Sequence, residues 1–207
     1  MQSLSVQFDV AIQATRAATQ AAIVAAAKAA NAEIMAREPR PSIVVRHVDG
    51  REGAPEEAVK PDGVIVYDYS RIDQIVAFAM KTLFDRSPVK TGNYRDNHTL
   101  MHNGEIVDAG RFAGFTIRGD TLAGWKPGDD VMIVNFVDYA RVIEVGAMKM
   151  RVPGTDHVYQ QAQQIVAAAH PEASVTFTYR NIEGGRVSAS RGHKGGNRYP
   201  ALVIRER

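Results

Sequence analysis

Between Ser3 and Arg37 the chain contains neither glycine nor proline, and thirteen of the 26 residues from Ala11 to Ala36 are alanine. Alanine is the best helix former, and no breaker stands in the way until Pro39 and Pro41. One long helix over residues 3–37 is therefore expected. Its larger apolar residues sit at Leu4, Phe8, Ile12, Ile23, Ile34 and Met35, and between Ile12 and Ile23 the stripe is almost all alanine. Such a surface buries little area per turn, so packing contributes little unless another element comes close. Two readings stand open: a contact with another subunit or partner, and a helix lying along its own domain.

Beyond this helix the composition is that of a globular protein. Apolar residues make up 45% of the 207, enough to build a core. The absence of cysteine excludes disulfides, thiolate zinc sites and thiol catalysis, and fits a chain made in a reducing cytoplasm. Met1-Gln2-Ser3-Leu4 carries no basic segment followed by an apolar core, so no secretory signal is expected. The most apolar stretch, Ala21 to Ala30, is mostly alanine and includes Lys28, too weakly hydrophobic to span a bilayer. A soluble protein with no membrane partner is expected.

Hydrophobic patterning then alternates between strands and helices. Ser42 to Val48 is β-branched and ends at Asp49-Gly50, and Gly63 to Tyr69 reads as a second strand pairing with it as a hairpin. Ile72, Ile75, Val76, Ala79, Leu83 and Phe84 fall near helical spacing, giving a helix over 70–85 that starts at Ser70 with Asp73 and stops before Pro88. Asn103-Gly104 marks a hairpin within His98 to Asp108. Val131 to Phe136 reads as a buried strand, Arg141 to Val145 alternates as another, Thr155 to Ala169 is helical, and strands follow over Ser174 to Tyr179 and Ala201 to Ile204. The expected fold is α+β: a small antiparallel sheet packed with two or three helices, preceded by the long alanine-rich helix. The expected organisation is residues 1–38 as that helix, 39–179 as the core domain, and 180–207 as a basic arm with a short last strand.

Charge is uneven. Residues 180–207 hold seven basic and two acidic side chains, a local sum of +5. Since the whole chain carries +2, the remainder carries −3. A basic tail on a slightly acidic body suits nucleic acid or an acidic protein surface, with Arg186, Arg191, Lys194 and Arg198 as the contacting residues. A solvated tail is the alternative.

Signatures of catalysis are sparse. No Gly-x-Ser-x-Gly elbow exists, and the glycines at 184–185, 192 and 195–196 lack the pattern and setting of a phosphate loop. His98 and His102, with Asp96, Glu105 and Asp108 nearby, are the one grouping that resembles metal ligands. On a strand, though, the two histidines would stand roughly 13 Å apart, too far to share an ion. Polar residues on a hairpin rim account for them more simply. Trp125 lies in a loop, either as an interface anchor or folded back on the core. No cofactor and no enzymatic role is expected.

Two further motifs read as joints. Ser87-Pro88-Val89-Lys90-Thr91-Gly92-Asn93-Tyr94-Arg95 stops a helix and turns into a strand. Asp138 to Gly146 reads as a strand with a charged, partner-facing edge at Glu144, which Arg95 or Arg141 would pair. Between subunits such pairs set register and partner choice more than affinity.

Together these motifs resemble the neck or tail-completion proteins of long-tailed double-stranded DNA bacteriophages, often labelled minor tail proteins. That family shows a Pro-x-x-Thr-Gly-x-x-Arg turn after an amphipathic helix, then a Tyr-Ala-x-x-x-Glu-x-Gly segment, then a helix. Here Pro88, Thr91, Gly92 and Arg95 match the first element, and Tyr139, Ala140, Glu144 and Gly146 the second. The match covers about residues 70 to 170. The long first helix, the 42–69 hairpin and the basic arm lie outside it. The resemblance implies a structural virion protein at the head–tail junction that completes the tail and joins it to the DNA-filled head. It implies a homo-oligomeric ring, sixfold like the tail tube. Its partners would be head-closure or connector proteins on one side and tail tube or terminator proteins on the other, with DNA in the channel. The eight matched positions would lie at or near subunit contacts.

Overall fold

The computed structural model describes residues 4–108, 122, 124–126, 128–181 and 198–206. The chain is α+β and divides into two compact units, Met1–Arg71 and Ile72–Arg207.

In the first unit the expected long helix is present as α1 (Leu4–Ala36). Its two halves differ. Residues 8–19 are exposed on every side, whereas Gln20, Ile23, Val24, Ala27, Asn31, Ile34 and Met35 form a half-buried stripe at helical spacing. That stripe is the part of α1 that meets the rest of the unit. Asn31 Oδ1 accepts from the hydroxyl of Tyr69 (2.9 Å), and Gln20 and Lys28 both reach Glu57. The small sheet has the order β2-β1-β3, with β1 Ile43–Val48, β2 Arg51–Glu52 and β3 Ile65–Ser70, all antiparallel. The expected hairpin pairing of 42–48 with 63–69 thus forms, running from Ile43 opposite Ser70 to Val48 opposite Ile65. The loop between them is held by side chains. Asp49 accepts from the amides of Lys60 (3.0 Å) and Val64 (2.9 Å), and Arg46, Glu56 and Tyr67 form a connected polar cluster.

The second unit is built on a five-stranded antiparallel sheet in the order β5-β4-β6-β8-β7. Its strands are β4 (His98–His102), β5 (Glu105–Asp108), β6 (Val131–Asn135), β7 (Ala173–Asn181) and β8 (Arg198–Glu206). The Asn103-Gly104 turn joins β4 to β5 with φ of 48° and 88°, the paired left-handed geometry that this dipeptide favours. The last strand is longer than expected and lies between β6 and β7, so residues 198–206 belong to the sheet and not to a tail. Helix α2 (Ile72–Arg86) buries Ile72, Ile75, Val76, Ala79, Met80 and Leu83 completely or nearly so. Each of these side chains larger than Ala79 contributes about 1.5–3 kcal/mol on leaving water. Helix α4 (Val158–Ala169) buries Val158, Tyr159, Ala162 and Val166 and packs against α2 and β7. Strand alternation puts Leu100, Ile133 and Leu202 side by side on one face of the sheet.

One element departs from expectation. Residues 140–144 form a short helix, α3 (Ala140–Glu144), and not a strand. It ends in a Schellman arrangement: Ala147 N–H donates to Val142 O (3.1 Å) and Gly146 N–H to Ile143 O (3.0 Å), with Gly146 at φ 66°. Five residues are too few to separate a period of two from one of 3.6, so the alternation of Arg141 to Val145 pointed the wrong way. The glycine two residues beyond Glu144 was the informative signal, because a left-handed residue after a helix is its commonest stop.

Candidate functional site

The two joint motifs, more than forty residues apart in sequence, meet on the second unit. Asn93 Nδ2 donates to the hydroxyl of Tyr139 at 3.2 Å. This contact ties the loop after α2 to the turn before α3, and both line an open groove of about 860 Å³. One wall is the loop from Pro88 to Tyr94. The other is the irregular segment from Met148 to Thr155, with Tyr139 and Ile143 between them. Three cationic side chains, Lys90, Lys149 and Arg151, line it, and no carboxylate does so among the described residues. Val89, Met148 and Val152 stand exposed at 60%, 38% and 58%.

The matched positions divide by role. Pro88, Thr91, Gly92 and Tyr139 line the groove. Gly92 is left-handed (φ 84°), and a β-carbon there would sit 3.0 Å from Asp96 Oδ2. The other four hold the walls. Arg95 lies in a 3-10 turn (Arg95–Asn97) with its guanidinium 3.5 Å from the centre of the Phe84 ring. Ala140 is 1% exposed. Gly146 packs so closely on His157 that a β-carbon would stand 2.7 Å from Cε1.

Glu144 corrects the reading of a charged strand edge. It is fully buried, and its two carboxylate oxygens accept from the backbone amides of Tyr159 and Gln160, each at 2.9 Å. The last residue of α3 therefore caps the first turn of α4, satisfying two amides that have no partner inside that helix. The residue preceding α4, His157, is left-handed (φ 51°) and gives no side-chain cap. Burial pushes the Glu144 carboxyl above its ordinary range, against the pull of the two amides. Neither Arg95 nor Arg141 serves as its partner; Arg141 lies over the Tyr179 ring at 5.8 Å.

Beneath the groove runs a buried polar network that the sequence did not reveal. The Ser87 hydroxyl donates to Leu83 O (2.6 Å), so its oxygen receives Nε2–H of His98 (2.8 Å). Nδ1 of His98 is then bare and accepts from the Tyr159 hydroxyl (2.9 Å). The network links the end of α2, the start of β4 and the first turn of α4. Burial depresses the His98 pKa to about 3, so the ring is neutral. Next to it Asn135 donates to Tyr94 O (2.7 Å) and accepts from Val137 N–H (3.1 Å). Although serine, histidine and tyrosine adjoin, Ser87, His98 and Tyr159 are 3%, 2% and 0% exposed, so the three side chains lie in the interior and do not open onto the groove. Tyr94, which lines the groove, is 2% exposed, and its hydroxyl has no hydrogen-bond partner among the described residues. Burial and the nearby Glu144 carboxylate raise its pKa well above the ordinary range.

His98 and His102 are not brought together. His98 enters the core, and His102 Nε2 pairs with Asp129 Oδ2 at 2.7 Å. Among the described residues no cluster of three metal-ligating side chains occurs. Trp125 is folded back, 3% exposed. Of the basic arm, Arg186, Arg191 and Lys194 lie outside the described residues, while Arg198 is exposed at the start of β8. Arg205 is ion-paired with Asp130. Among the described residues no helix is long and apolar enough to cross a membrane. Lys149, Arg151 and the groove methionines escaped the motif reading, although the alternation in Met148-Lys149-Met150-Arg151-Val152 was a usable signal.

Comparison of the chain with protein families, with curated proteins and with solved structures found no match.

Proposed function

We propose that this chain is a structural virion protein of the neck of a long-tailed phage, forming a homo-oligomeric ring that completes the tail and joins it to the filled head. The observation that carries the reading is the Asn93–Tyr139 contact. The two sequence elements on which the resemblance rests converge there on one accessible surface. Such a surface needs joints that hold its shape, and here Arg95, Ala140, Glu144 and Gly146 support the groove that the other matched residues line. The exposed first half of α1, residues 8–19, offers a second surface to a neighbouring copy.

The test is to stop the gene early in the phage that encodes it and view the lysate by negative-stain electron microscopy. Separate DNA-filled heads and finished tails are expected, with joined particles restored by adding the purified protein. Intact virions would reject the reading and favour the alternative, a nucleic-acid-binding module using residues 180–207. That alternative predicts DNA binding that weakens steeply as salt rises.

A further inference from the structure

We infer that the groove between the Pro88–Tyr94 loop and the Met148–Thr155 segment takes an extended peptide segment of a partner protein, one carrying carboxylates beside large apolar side chains. This inference does not depend on the neck reading; it rests on the groove itself. Its charge is one-sided: Lys90, Lys149 and Arg151 line it, none is ion-paired to a described carboxylate, and no acidic side chain lines it among the described residues. A row of like charges round a concavity attracts and orients an acidic partner.

The apolar content decides the class of partner. Val89, Met148 and Val152 are large, exposed and clustered on one concave surface, beside the half-buried Met150. Aliphatic and thioether side chains gain nothing from a phosphate backbone, whereas they pack readily on a leucine or phenylalanine, and methionine adapts its shape to either. A single-stranded nucleic acid would want open aromatic faces for its bases. Of the two tyrosines that line the groove, Tyr94 is 2% exposed and Tyr139 is half-buried with its hydroxyl held by Asn93, so the groove offers no run of open aromatic faces.

Panning a random library of peptides about a dozen residues long on the full purified chain tests this directly, with the Lys149→Glu/Arg151→Glu variant as decoy. Both substituted positions are exposed, so the fold should survive, and circular dichroism would verify it. The expected result is enrichment of sequences that combine Asp or Glu with Leu, Phe or Met, absent on the decoy. The best peptide, fluorescein-labelled, should lose about tenfold or more in affinity, some 1.4 kcal/mol, against Val89→Ser/Val152→Ser and when its acids become glutamine. Resonances of the Met148 and Met150 methyl groups should shift on its addition. Enrichment equal on chain and decoy, or of basic or purely polar sequences, would overturn the inference. So would displacement of the peptide by a single-stranded DNA oligonucleotide that binds the groove more tightly, or an oligoglutamate binding as well as the apolar peptide.

Discussion

The carboxylate of Glu144 stands 2.9 Å from the amide nitrogen of Tyr159, fifteen residues further along the chain, and the same group reaches Gln160. One side chain thereby joins the end of α3 to the start of α4, and so helps fix Tyr139 and Ile143 between the two walls of the groove. Negative charge at a helix N-terminus is favourable, and two amide donors need an acceptor on each oxygen.

Replacing Glu144 by glutamine keeps the shape but turns one acceptor into a donor facing an amide. A loss of about 1–3 kcal/mol is expected in urea unfolding. Glu144→Lys should cost about 3 kcal/mol or more, because an ammonium would be buried against two N–H donors. A Glu144→Lys chain as stable as the parent would show that the cap does not form.

Gly146 and Gly104 are both left-handed, at φ 66° and 88°, yet differ in surroundings. A β-carbon at Gly104 meets nothing within 4 Å, while at Gly146 it meets the His157 ring at 2.7 Å. Alanine at 104 should cost about 1 kcal/mol from backbone conformation alone. Alanine at 146 should cost about 2 kcal/mol or more, since His157 must also move. Equal thermal midpoints for the two variants would contradict this ranking.

The neutral His98 makes stability depend on pH. Its pKa is about 3 when folded and 6.5 in the ordinary range. The unfolded chain therefore binds a proton that the folded chain refuses. This contribution is fully present above pH 6.5 and is lost as pH falls from there towards about 3, at up to about 1.4 kcal/mol per pH unit. Nitrogen-15 spectra of the imidazole should show the Nε2–H tautomer and no protonation down to about pH 4. A titration midpoint near 6.5 in the folded protein would refute the Ser87–His98–Tyr159 network.

Arg95 stacks on Phe84 at 3.5 Å, half-buried. A double-mutant cycle with Arg95→Ala and Phe84→Leu should give a coupling of about 0.5–2 kcal/mol. Additive losses would mean that the contact contributes nothing beyond the two side chains taken separately.

Much of the second unit was legible beforehand. The 3.6 period of Ile72 to Leu83, the Asn103-Gly104 turn and the β-branched runs at 131–136 and 174–179 place their elements because each signal is local. The Asp138 to Gly146 segment was misread for the opposite reason: its helix is one turn long, and its stop at Gly146 and its distant client at Tyr159 say more about it than its own residues. The groove was half legible. Both motifs stood out, but neither displayed Lys149, Arg151 or the methionines that face the Pro88–Tyr94 loop across it.

What the sequence determined alone was therefore most of the longer helices and strands, through periodicity and breakers acting over a few residues. Only the tertiary structure decided that Glu144 is an interior cap and not a surface charge. It alone put His98 in the core against Ser87 and Tyr159, and brought Asn93 to Tyr139. Those outcomes depend on which residues distant in sequence become neighbours, and on how far burial removes water from each polar group.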